Sequence, residues 1–114
     1  MEKGRPAAAE VYAQVVKDLY DAVNDLPATV NTTNSKTIHN RYQALALLAR
    51  VHLWLGNWAK ADSAATAVIG SNQYQLVTGV NNVFKRGSRE AIYSQGPTNT
   101  GLLYDNRAII GWLI

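Results

Sequence analysis

A chain of 114 residues, 47% of them apolar and 17% charged, is long enough for one small domain with a modest core, and its composition is not that of a disordered segment. Eleven Lys and Arg against eight Asp and Glu leave a formal charge of +3, yet no basic run exceeds Lys85-Arg86, so nucleic-acid binding is not indicated. There is no cysteine, which excludes disulfides, thiolate metal sites, cysteine nucleophiles and a lipid-modified cysteine within these residues.

The opening Met1-Glu2-Lys3-Gly4-Arg5-Pro6 lacks the apolar core of a secretory signal. No run approaches the roughly 20 apolar residues of a membrane span, so the chain as written reads as soluble. A first helix is expected from Ala7 to Asp25. At 100° per residue Val11, Tyr12, Val15, Leu19, Ala22, Val23 and Leu26 fall in one sector of about 120°, which gives the helix one buried face. Pro27 ends it, because the residue before a proline is pushed out of the helical region. The Thr- and Asn-rich stretch from Ala28 to Lys36 reads as a polar surface loop.

The second helix begins at Asn40, which forms with Gln43 an Asn-x-x-Gln capping box. It is apolar almost all round, with Gln43 and Arg50 on a polar strip, so it should lie between the first and third helices. Gly56 stops it, since glycine tolerates the left-handed conformation that helix ends often need, and Asn57 is expected to cap the next helix. That third helix runs from Trp58 to Ile69 and closes at Gly70. The second and third helices thus form an antiparallel hairpin, with small residues at Ala44, Ala49, Ala61, Ala64 and Ala65. Leu48, Val51, Leu55, Trp58, Val68 and Ile69 supply the filling. If Trp58 is buried there, its truncation to Ala costs about 3 to 5 kcal/mol.

Beyond Gly70 the helical period is lost. Tyr74-Gln75-Leu76-Val77 and Ala91-Ile92-Tyr93-Ser94 suit short extended segments, and Gly96-Pro97-Thr98-Asn99-Thr100-Gly101 is loop chemistry. The fold class expected is therefore mainly α, helical over 7–70 and irregular over 71–114. The apolar ending Ile109-Ile110-Gly111-Trp112-Leu113-Ile114 suggests a single partial domain cut from a larger protein, or a tail buried in a neighbour, and it offers a surface for self-association.

No residue constellation supports an enzyme: there is no carboxylate pair, no Ser/His/Asp set and no glycine-rich phosphate loop. His39 and His52 lack carboxylates at helical spacing, so neither a metal site nor a cofactor is expected, and His52 reads as a packed histidine. Trp54 and Trp58 offer faces on which a sugar ring could stack, but their spacing across a helix turn favours packing. Asp18 borders the buried stripe and is expected to accept hydrogen bonds at a helix interface.

The order of Ala44, Leu45, Leu48, Ala49, Gly56, Trp58 and Ala61 resembles one tetratricopeptide repeat, with Leu48, Ala49, Gly56, Trp58 and Ala61 as its signature. It departs from the pattern at Leu45, Ala49 and His52, where the family often has Trp, Gly and Tyr. A wider resemblance runs from Glu10 to Gln95. It joins Asp18-Leu19, Ala22 and Leu26-Pro27 to Ala44 through Leu53, Gly56 through Ala61, Val68-Ile69, Tyr74-Gln75-Leu76, Phe84 and Glu90-Ala91-Ile92-Tyr93-Ser94. In that order these segments resemble the SusD/RagB family.

The resemblance implies part of a surface-exposed outer-membrane lipoprotein of Bacteroidetes-type bacteria. Such a protein takes part in polysaccharide uptake: it binds glycan or other nutrients and hands them to a TonB-dependent outer-membrane transporter. The family's nutrient site is built mostly from loops outside the matched region, so these helices would be scaffold, and no ligand-binding residue can be assigned by it. The export signal and lipid-bearing cysteine of the family are absent from these residues. The alternative is a stand-alone tetratricopeptide-like protein-protein interaction module, against which stands the presence of one repeat where solenoids need about three.

Overall fold

The structure, a computed structural model, describes residues 4–28, 39–85 and 88–93. Among the described residues four helices follow one another: α1 (Ala8–Asp25), α2 (Arg41–Trp54), α3 (Trp58–Gly70) and the single turn α4 (Val80–Val83). The protein is mainly α and carries the expected helical hairpin, α2 against α3. Among the described residues there is no strand. Tyr74–Val77 is irregular backbone, held by the Gln75 N–H donating to the Arg89 carbonyl at 3.0 Å, while Ser94 and the apolar ending Ile109–Ile114 lie outside the described residues.

The helix limits follow from local chemistry. At the end of α1 the Leu26 N–H closes the last turn on Ala22 at 2.9 Å, and the chain is extended at Leu26, as a following proline demands. Both halves of the capping box at the start of α2 are formed: Asn40 Oδ1 accepts from the Gln43 N–H at 3.0 Å, and Gln43 Oε1 accepts from the Asn40 N–H at 3.4 Å. The α2–α3 turn passes through Gly56 at φ +77°, and open space surrounds the position of a Cβ there, so backbone conformation and not room selects glycine.

Two details of the helix ends differ from expectation. Asn57 makes no side-chain cap; its backbone N–H instead donates to the His52 carbonyl at 2.8 Å and its amide turns toward the His52 ring. At the far end α3 continues through Gly70, and the left-handed residue comes later, at Asn72 with φ +57°. Asparagine tolerates that conformation better than most side chains, so the glycine was not needed for it.

α2 is the middle element: it packs against α1 on one side and α3 on the other, while α1 and α3 do not approach each other among the described residues. The α2–α3 seam holds the core, Ala44, Leu48, Ala61, Ala64 and Val68. Small residues on both helices let the backbones come close, and Leu48, 2% exposed, fills the space between. Ala49, Val51 and Ala65 are half-buried around it. Three residues expected in this filling are not: Leu55, Trp58 and Ile69 are exposed, because they fall on the far side of the turn or on the outer face of α3. The α1–α2 seam is looser. Tyr12, Val15, Leu19, Ala22, Val23 and Leu26 are half-buried as the periodicity predicts, Val11 is exposed, and no residue of α1 is fully buried.

Candidate functional site

The residues of the repeat signature separate into two groups. Leu48 and Ala61 are buried in the α2–α3 seam, Ala49 is half-buried beside them, and Gly56 shapes the turn. Trp58 stands apart, 67% exposed, and the expectation that it packs into the hairpin is corrected. The same holds for Trp54, which ends α2 80% exposed. Every residue from Leu53 to Lys60 is exposed, so Leu53, Trp54, Leu55 and Trp58 gather large apolar side chains at the hairpin tip. Helical spacing alone suggested burial for these tryptophans, but the turn at Gly56 carries them past the end of the seam.

Behind the tip lies a part-buried polar contact that joins α1, α2 and the turn between α2 and α3. His52, 2% exposed, faces the Tyr20 hydroxyl of α1 across 3.2 Å at Nε2 and the Asn57 amide nitrogen of the turn across 3.4 Å at Nδ1. The Tyr20 and His52 rings sit tilted, with centroids 6.0 Å apart. Desolvation by burial, and then the charge of Lys60 on α3, push the His52 imidazole below its usual value. The packed histidine expected from the sequence is what the structure shows at His52. Its partners Tyr20 and Asn57 had no signal in the sequence, since Tyr20 lies at the margin of the α1 stripe and Asn57 carried the signature of a cap.

A second polar cluster sits at the opposite end of the hairpin. Asn40, 3% exposed, and Gln43 are buried; Asn40 Nδ2 donates to the Tyr74 hydroxyl at 3.3 Å, and Gln43 Nε2 donates to the Ile92 carbonyl at 3.1 Å. His39 meets Gln43 Oε1 at 3.3 Å and stacks on Tyr93 with ring centroids 5.4 Å apart. The Gln73 amide donates to the Ala28 carbonyl at 3.1 Å, and Arg41 Nε donates to the Val23 carbonyl at 3.0 Å. Through Tyr74, Ile92 and Tyr93 the segments 72–77 and 88–93 are tied to the start of α2, while the Gln73 and Arg41 bonds reach the end of α1 and the residues after it. They are structural: a satisfied polar cluster that lets the irregular segments cover a helix end.

The acidic residues offer no reactive set. Asp18 accepts from Gln14 Nε2 at 2.6 Å on the exposed face of its own helix, not across a helix interface as expected, and Asp21 pairs with Lys17 at 3.0 Å on that face. Glu90 accepts from the Val77 N–H at 3.2 Å, which joins two irregular segments. Among the described residues no three His, Asp or Glu side chains gather in a way that could hold a metal ion. No helix of the described residues is long and apolar enough to cross a membrane.

The architecture is thus that of a helical hairpin with a flanking helix, and its tip exposes aromatic and aliphatic side chains. No family model and no solved structure matches the chain. Over 76 residues it is 33% identical to SusD-like protein P38 of Formosa agariphila, a stretch that covers 67% of this chain. The same stretch is 14% of that protein, so the chain corresponds to a small part of the relative's length.

Proposed function

We propose that this chain is helical scaffold from a SusD-like surface protein that binds glycans or other nutrients and passes them to a TonB-dependent outer-membrane transporter. The observation that carries the reading is the 33% identity to SusD-like protein P38, and the α2–α3 helical hairpin is consistent with a tetratricopeptide-like repeat. In this reading residues 1–114 are one partial domain of a lipoprotein, and Leu48, Ala49, Gly56, Trp58 and Ala61 are the repeat's signature. The nutrient site lies mainly outside them, and the protein is a binder and not an enzyme.

The test is to read the gene on both sides of the segment encoding Met1 to Ile114. An open frame leading back to an export signal with a lipid-acceptor cysteine, beside a gene for a large outer-membrane barrel, is the expected result. A frame closed at both ends would overturn the reading in favour of a separate module that binds a protein partner.

The exposure of Trp54 and Trp58 favours a second reading of the tip within the same protein. Indole faces open to solvent beside Leu53 and Leu55 can stack on the apolar face of a sugar ring, and among the described residues none buries them. Calorimetric titration with a panel of oligosaccharides separates the two. A scaffold without a site binds at millimolar strength or weaker, whereas micromolar binding lost in Trp54→Ala places a saccharide at the tip.

A further inference from the structure

We propose that His52 is a proton-operated latch that releases α1 from the α2–α3 hairpin on acidification. Its ring bridges α1 through Tyr20 and the turn through Asn57 while 2% exposed, so a charge formed there is cut off from water. With the Asn57 amide nitrogen donating, Nδ1 accepts and the proton sits on Nε2, from which it is donated to the Tyr20 oxygen. A second proton has to enter at Nδ1, which then becomes a donor facing a donor. No group that faces the ring brings a negative charge to hold the resulting cation: Tyr20 on α1 and Asn57 in the turn are neutral, and Lys60 on α3 repels it. No carboxylate acts on the ring among the described residues.

Release falls on α1 and not on the whole chain because the two seams differ. The α2–α3 seam is closed by Leu48, Ala61, Ala64 and Val68, whereas α1 buries no residue fully and, among the described helices, packs only on α2. Burial lowers the folded-state value of His52. The contribution of the neutral ring is therefore fully present above the unfolded-state value of about 6.5, and is lost as pH falls through the lower folded value. Between the two values the docked state of α1 weakens by about tenfold per pH unit.

The test is amide hydrogen exchange on the full chain from pH 7.5 to 5, expressed as protection factors, with the His52 ring followed by NMR. The expected result is a proton on Nε2 at neutral pH, a titration below 6.5, and protection in α1 that falls with pH severalfold more than protection in α3. Asn57→Asp places a carboxylate at Nδ1; it is expected to carry the titration above 6.5 and to abolish the acid loss of α1 protection, which a merely structural contact would not do. Tyr20→Phe keeps the ring packing and is expected to weaken α1 docking at neutral pH. A wild-type His52 that titrates at or above 6.5, parallel loss of protection in α1 and α3, or an Asn57→Asp chain that behaves as the wild type would each overturn the proposal.

Discussion

At its base the α2–α3 hairpin buries polar side chains, whereas at its tip it exposes apolar ones. The base contains Asn40 and Gln43, residues that are rarely so well covered, and the tip contains Leu53, Trp54, Leu55 and Trp58, residues that usually are. Hydrogen bonding accounts for the first: each buried amide at the base has partners in the capping box, in Tyr74 or in the Ile92 carbonyl. Among the described residues nothing covers the second. Apolar patches of this kind are where proteins in general meet partners or ligands.

The largest expected effect lies between the two ends. Leu48→Ala removes the side chain that fills the α2–α3 seam and should cost about 2 to 5 kcal/mol, read as a fall in the urea midpoint. If the loss is under about 1 kcal/mol, the seam is not the core.

At the base, Gln43→Ala leaves the Ile92 carbonyl and the Asn40 N–H without this partner and should cost about 1 to 3 kcal/mol. Its melting transition should fall further than that of Asn40→Ala, expected at about 0.5 to 2 kcal/mol for the loss of a cap. Equal losses from both would mean that the cap, and not the covering segment, dominates the base.

At the tip, Trp58→Ala should change stability by no more than about 0.5 kcal/mol, the ordinary range of a surface substitution. A loss of several kcal/mol in calorimetric unfolding would show the indole to be packed after all and would erase the contrast between the two ends.

Much of the fold was legible because its signals are local. Pro27, the Asn40/Gln43 box and Gly56 set the limits of α1, α2 and the turn within one residue of where they fall, and the all-round apolar character of α2 placed it between two neighbours. The errors came where a local signal had two outcomes. Asn57 precedes a helix as Asn40 does, but the Gly56 turn directs its amide to His52 instead of the start of α3. Trp58 has the spacing of a core residue, yet where a seam ends along a helix depends on the crossing of two helices and not on either sequence. Asp18 bordered the apolar stripe, and Gln14 one turn earlier on the same face supplied its partner.

The covering of the base at Gln43 and Asn40 was not legible for a different reason. Tyr74 and Ile92 reach them from 34 and 49 positions away, and no periodicity encodes such pairings. The candidate tip was legible in its residues and not in its exposure.

The arrangement of the helices also sets an order of events as the chain folds. Among the described helices α2 packs only against its neighbours in sequence, α1 and α3, so the helix pairings join consecutive elements and should form on the microsecond-to-millisecond scale of local topologies. The Gln73–Ala28, Tyr74–Asn40 and Gln43–Ile92 bonds close loops of 45, 34 and 49 positions. They carry a larger entropic cost, and the Tyr74 and Ile92 bonds give no reward until the start of α2 exists to receive them. A kinetic trace that follows Tyr74 should therefore lag one that follows helix formation, and the start of α2 would be the platform on which the covering segments assemble.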